Sequence, residues 1–215
     1  MRLPLSKMLK KRMHVDIATL QDEVVDIVYL LLPRAVLHGG TAIWRCYGGN
    51  RFSEDLDFYA SPGNGFEKIF ERIVKERGLV LNKYKKTENT FFAKLSDGNV
   101  EIRVEIALRD VRSPVVRLYE KTNGSQISVF TLSPEDIILE KMSAYSSRKL
   151  ARDIYDIYHL SSYVTDEKKL MKEMRDFLSK IKPPLDEKNL KMLVYSGAVP
   201  SFKQMVEALK RRVEE

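Results

Sequence analysis

Cysteine is nearly absent. Cys46 is the only one in 215 residues, which excludes a disulfide framework and any zinc site built on thiolates. Inside an apolar segment it reads as a small packed side chain. Histidine is scarce too: His14, His38 and His159 fall at no metal-binding spacing. His38 precedes a glycine pair and reads as a residue packed at a strand end. No apolar run approaches the ~20 residues that a membrane helix needs. No internal repeat and no low-complexity stretch appears. The basic residues Lys7, Lys10, Lys11 and Arg12 are followed by neither an apolar h-region nor a small-residue cleavage site. The expectation is a cytoplasmic protein with no membrane association.

What is present is ordinary for a charge-rich globular chain: 44% hydrophobic and 31% charged residues. The length suits one large domain or two small ones. Lys and Arg number 37 against 30 Asp and Glu, for a net charge of +7. That balance favours a polyanionic partner, nucleic acid or nucleotide, although abundant Lys and Glu also mark the surfaces of thermophile proteins.

Apolar periodicity predicts a helix over 16–32, a short buried strand at 35–38, a helix at 41–47 and a strand over 52–59. A helix from Phe66 is stopped by Gly78. Strands over 79–86, 90–95 and 100–109 form a meander, the last alternating cleanly between apolar and polar residues. Ser133-Pro134-Glu135-Asp136 is a helix start, with Ser133 as cap. Helices are expected over 134–147, 150–162, 166–181, 186–196 and 200–213, broken by Lys182-Pro183-Pro184. The change in character predicts an α/β core over 1–132 and a helical subdomain over 133–215.

The stretch that organises the chain is Val36–Phe58, VLHGGTAIWRCYGGNRFSEDLDF. Two glycines before a helix, Gly39 and Gly40, let the backbone approach a bulky anion. The helix start offers unpaired N–H groups and a positive dipole end. Thr41 can cap that helix or bond a phosphate oxygen. Asp55 and Asp57, placed on one strand, point to the same side about 7 Å apart. Mg²⁺ favours such a pair together with substrate phosphates over an all-protein cage. Alone, Gly-Gly is most often a turn and Asp-x-Asp a solvated strand end; their order and spacing carry the signal.

Together, Gly-Gly followed by Asp-x-Asp resembles the nucleotidyltransferase superfamily signature. The fuller string GGTAIWR…RFSEDLDF is similar to that of the AbiEii/AbiGii-type nucleotidyltransferase toxin family. The resemblance covers roughly Leu37 to Leu160 and implies an α+β fold: a polymerase-β-like mixed sheet with helices, followed by an all-helical C-terminal subdomain that contributes to the active site. It implies Asp55 and Asp57 as catalytic metal carboxylates. It also implies a third acid on a neighbouring strand, Glu105 with Glu101 in reserve. Both lie on the polar face of the 100–109 strand, where paired surface charges are an equal alternative. Gly39, Gly40, Thr41 and Ser53 become triphosphate contacts, and Ser53 also stands where some members are phosphorylated.

The segment EKMSAYSSRKLARDIYDIYHL resembles the family's Glu-Lys helix followed by Arg-Asp-x-Tyr-Asp. On its own, Lys141 facing Asp153 or Asp156 reads as a structural ion pair, and Arg152 and Asp156 are one helical turn apart. The resemblance makes Lys141 a triphosphate ligand and gives Asp153 or Asp156 the role of orienting it or acting as base. Tyr155 and Tyr158 read as packing residues. The implied function is Mg²⁺-dependent transfer of NMP from an NTP to an acceptor, as the toxin of a toxin–antitoxin system acting on tRNA, with a cognate antitoxin as partner. The alternatives are transfer to a protein hydroxyl (AMPylation) or a small molecule, and a non-catalytic nucleotide- or RNA-binding module. Choice of NTP, acceptor and oligomeric state are not written in any motif.

Overall fold

In a computed structural model, which describes residues 3–214 apart from the side chains of 167–169, the alternating stretch after Val100 becomes an inner strand of a seven-stranded mixed sheet. The chain divides into two units. One holds Met1–Cys46 and Ser53–Thr131; the other holds Tyr47–Phe52 and Leu132–Glu215. The Gly48-Gly49 segment therefore belongs with the helical second unit.

The first unit runs α1 (Leu5–Met8), α2 (Arg12–Leu31), β1 (Val36–His38), α3 (Gly39–Cys46), β2 (Leu56–Ala60), α4 (Phe66–Glu76), β3 (Val80–Lys86), β4 (Thr90–Ser96), β5 (Glu101–Leu108), β6 (Val115–Glu120) and β7 (Gln126–Thr131). The strand order is β3-β4-β5-β2-β1-β7-β6. β2 pairs with β5, and β1 with β7, in parallel; the other neighbours are antiparallel. On β5 Ile102, Val104 and Ile106 are buried while Glu101, Arg103 and Glu105 are exposed, and on β4 Phe91, Ala93 and Leu95 are buried. Phe66, Phe70 and Phe91 interlock with ring centroids 5.3–5.5 Å apart. Burying each such ring contributes about 2 kcal/mol.

Three local readings change. The carboxylate strand begins at Leu56, so Asp55 stands just before it. The glycine pair is the first turn of α3 itself, two residues ahead of the expected start. Strands β6 and β7 were not anticipated. At the sheet edge β6 exposes Val116 and Leu118 and buries Tyr119, which inverts the usual hydrophobic signal.

The second unit carries α5 (Pro134–Arg148), α6 (Ala151–Leu160), α7 (Glu167–Lys180), α8 (Leu190–Leu193) and α9 (Phe202–Glu214). Ser133 caps α5 as its residue type predicts, accepting the Asp136 N–H at 3.1 Å. The start of α6 is capped from far along the chain: the Ala151 N–H donates to Asp186 Oδ1 at 2.6 Å. The helix expected over 186–196 is only a 3₁₀ turn and the single turn α8. Its last residues are drawn into pairing with the Gly49–Phe52 segment: Phe52 N donates to Leu193 O and Tyr195 N to Asn50 O, each at 3.0 Å, and Tyr195 hydroxyl to Gly49 O at 2.9 Å.

Candidate active site

At the β1–α3 junction Gly39 has φ of +71°, a left-handed conformation that only glycine adopts without strain. Space makes a second demand. A Cβ at Gly39 would collide with Oδ2 of Asp57, so the bare backbone and this carboxylate are in contact. Asp57 is the register partner of His38 on β1 and of Glu105 on β5. Register partners point to the same face of a sheet, so Asp57 and Glu105 stand side by side. His38 stacks flat on Tyr59 at 3.8 Å, in the packing role its position suggested.

Asp55 lies one rung along the same face. Both its oxygens are engaged by Arg103 of β5, with Nε to Oδ1 at 2.8 Å and Nη2 to Oδ2 at 2.6 Å. The backbone around Asp55 is held from below. Thr41, fully buried, donates its hydroxyl to the Asp55 carbonyl at 2.6 Å. Gln21, also fully buried, donates to the carbonyls of Ser53 and Glu54 at 2.9 and 3.0 Å. Thr41 thus braces the loop rather than capping α3, and its hydroxyl does not face outward. Ser53 is half-buried in this braced loop. Glu101, the reserve acid, is taken up by Lys94 at 2.6 Å and Asn82 at 2.9 Å, contacts that hold its carboxyl below the usual range.

Asp55, Asp57 and Glu105 offer carboxylate oxygens, the donors that hard divalent cations take. Among the described residues no three His, Cys, Asp or Glu side chains are gathered closely enough to hold a metal by themselves. Two carboxylates with the remaining positions filled by substrate phosphate and water is the Mg²⁺ pattern that fits this arrangement.

The second unit has its own charged centre. Asp156, at 1% exposure, accepts from Arg51 Nε and Nη2, both at 2.8 Å, and from Lys141 Nζ at 2.7 Å. Asp153, fully buried, is bound at two points by Arg148 at 2.7 Å and lies 3.7 Å from Lys141. Burial by itself would raise the Asp156 pKa; Arg51 and Lys141 outweigh it and hold the carboxyl down at about 2. A carboxylate so stabilised is a poor proton acceptor at neutral pH, and its geometry is that of a group orienting Lys141. Arg152 does not take part: Asp156 faces Arg51 instead of the residue one turn before it, and Arg152 Nε is buried without a partner. Tyr155 is 6% exposed and packs in the interior.

The structure thus places Gly39 against Asp57, Glu105 beside Asp57 and Arg103 on Asp55 in the first unit, and brings Lys141, Asp153 and Asp156 together in the helical unit. Arg51, Arg148, Arg103 and Gln21 were not singled out from the sequence. Only Arg103 left a trace: it lies two residues before Glu105 on the polar face of β5, the rung opposite Asp55.

Comparison with known proteins identifies a family and a shared fold. Residues 28–213 match the family described as nucleotidyl transferase AbiEii toxin, type IV toxin–antitoxin system. An uncharacterized protein of Aquifex aeolicus (strain VF5) is 28% identical over 187 residues, covering 83% of this chain and 86% of the relative. Among solved structures, JHP933 from Helicobacter pylori aligns at a TM-score of 0.65 with 22% identity, covering 95% of this chain and 91% of that one. The nucleotidyltransferase toxin MenT4 of Mycobacterium tuberculosis H37Rv aligns at 0.61 with 19% identity, covering 97% and 87%.

Proposed function

The chain belongs to the AbiEii nucleotidyltransferase toxin family, and from that premise we propose a Mg²⁺-dependent transfer of NMP from an NTP to the end of a tRNA. The observation that carries the site assignment is the contact between the bare backbone of Gly39 and the Asp57 carboxylate, with Glu105 as the register partner of Asp57. A backbone that must stay open and carboxylates that must stay exposed suit a phosphate chain carrying a divalent cation.

Asp55 and Asp57 hold the cation in this reading, with Glu105 beside them. When bound, the cation neutralises charge on the phosphates and on the leaving pyrophosphate. Gly39 and Gly40 admit the triphosphate to the N-terminal turn of α3. Ser53, in the loop clamped by Gln21, is a further phosphate contact. Thr41 acts through the Asp55 carbonyl and keeps that carboxylate in place. An acceptor hydroxyl attacks the α-phosphorus, the bond to the bridging oxygen of the β-phosphate breaks, pyrophosphate departs and the hydroxyl proton is released. Lys141, held by Asp156, is assigned to phosphate binding as a point charge.

A toxin of this class implies an antitoxin that restrains it, encoded nearby. The net charge of +7 suits an RNA acceptor. The test is labelled transfer from each of the four NTPs, with Mg²⁺ or with chelator, to total tRNA and to bulk protein. Label on tRNA, abolished by chelator, is expected. Label on protein alone would replace the tRNA acceptor by a protein hydroxyl. Nucleotide binding without pyrophosphate release would overturn the mechanism.

A further inference from the structure

The Arg103–Asp55 pair is not needed to hold the sheet together. Both side chains are on the surface, at 56% and 35% exposure. Their strands are already joined by the β2–β5 ladder over five register pairs, from Leu56↔Val104 to Ala60↔Leu108. Exposed ion pairs of this kind contribute little to stability. Yet the geometry is two-point, 2.8 and 2.6 Å, and uses both oxygens of one of the two carboxylates assigned to the cation. A guanidinium bonded to both oxygens takes one lone pair from each and sets a positive charge beside any cation on the remaining ones, so the two compete for the carboxylate. Asp57 and Glu54 add further negative charge around Arg103 and strengthen its hold there. The neighbouring cation on this face, Lys94, is committed to Glu101 instead.

We propose that Arg103 is a resident competitor of the metal: it occupies Asp55 until a divalent cation displaces it, and so sets how tightly the site takes metal. The inference rests on the reading of Asp55 as a metal carboxylate. Its physical content is a swap. With the pair closed, Asp55 is neutralised and its repulsion with Asp57 is relieved without metal. With the cation in place, Arg103 is released on the face where the triphosphate arrives, and guanidinium exchanges carboxylate for phosphate readily because both accept its two-point donation. Bare metal therefore binds weakly, and metal accompanied by a nucleotide binds better than metal alone.

The test is a titration of the protein with Mn²⁺ alone, following free Mn²⁺ by electron paramagnetic resonance. The variants are Arg103→Gln, Arg103→Lys and Lys94→Gln, each checked for an unchanged melting profile. Arg103→Gln is expected to raise Mn²⁺ affinity by about three- to fivefold, the upper scale of a surface ion pair. Arg103→Lys, which keeps the charge but loses the two-point contact, falls between. Lys94→Gln removes the same charge from the same face and is expected to change affinity by less than about twofold. Adding Asp55→Asn to Arg103→Gln should erase the gain. Equal gains from Arg103→Gln and Lys94→Gln would reduce the effect to general surface charge and overturn the proposal, as would an Arg103→Gln protein that binds Mn²⁺ like the parent. If neither protein binds Mn²⁺, even with an α,β-methylene NTP analogue present, the metal reading of Asp55 fails and the proposal fails with it.

Discussion

The backbone of Gly39 lies directly against the carboxylate of Asp57: a single added methyl group at Gly39 would meet Oδ2. Two sequence features eighteen residues apart are thereby one physical object, a bare turn and the acid against it. Gly39→Ala combines a positive φ with this collision. It should cost about 1–2 kcal/mol in stability from the backbone alone, with a larger loss of transferase activity because Asp57 must move. Gly63→Ala, where a Cβ meets nothing within 4 Å, is the control and should be silent in both. Urea unfolding and NTP turnover on the two variants decide the matter; an active Gly39→Ala protein would remove the reason for linking the turn to the acid.

Asp156 serves two cations, Arg51 and Lys141, whereas Arg51 serves one acid. Removing the shared partner leaves two buried positive charges facing each other. Asp156→Asn should therefore destabilise by about 3–5 kcal/mol, and Arg51→Met by less, since Lys141 still compensates Asp156. Urea midpoints for the two variants test this ordering, and the reverse order would contradict the geometry.

Stability should also depend on acid through Asp156. Its folded pKa, about 2, lies below the ordinary aspartate value of 3.8. Its contribution is therefore fully present above the unfolded value and lost as pH falls through the folded one, a window from about 4 down to about 2. Across that window it amounts to roughly 2–3 kcal/mol. The stability gap between the parent and Asp156→Asn should narrow by that amount between pH 5 and pH 2. A gap that stays constant would mean that Asp156 is not the low-pKa group.

Gln21 reaches from α2 to the carbonyls of Ser53 and Glu54. Gln21→Leu keeps the bulk and removes both donors. It should raise amide exchange in residues 53–57 while leaving exchange in β5 unchanged, and cost about 1–2 kcal/mol overall. Unchanged exchange in 53–57 would show that the loop is held by something else.

Much of this was legible in the sequence because it follows from local rules. A glycine pair before a helix leaves the backbone bare, and the alternation of Ile102, Val104 and Ile106 with Glu101, Arg103 and Glu105 writes the two faces of β5 directly. What was hidden depends on distant partners. Helical spacing puts Arg152 one turn from Asp156, but Arg51, 105 positions away, holds the carboxylate together with Lys141. The phase of β5 leaves Glu101 and Glu105 equivalent; only pairing with β2 sets Glu105 beside Asp57 and leaves Glu101 to Lys94. Asp55 was expected within a strand, yet the ladder starts one residue later and Arg103 meets it from the next rung. β6 is hidden in the sequence because an edge strand that exposes Val116 and Leu118 carries no inward-facing apolar pattern.

Asp57 and Glu105 are proposed to work as neighbours in metal-dependent nucleotidyl transfer. Pyrophosphate release, measured with Mg²⁺ in the parent and in Asp57→Asn, Glu105→Gln and Glu101→Gln, tests it most directly. A loss of at least about a hundredfold is expected for Asp57→Asn and Glu105→Gln, the scale of several kcal/mol of charge stabilisation, and less than about twofold for Glu101→Gln, whose carboxylate is engaged elsewhere. Full activity in Asp57→Asn, or equal losses in the two glutamate variants, would contradict it.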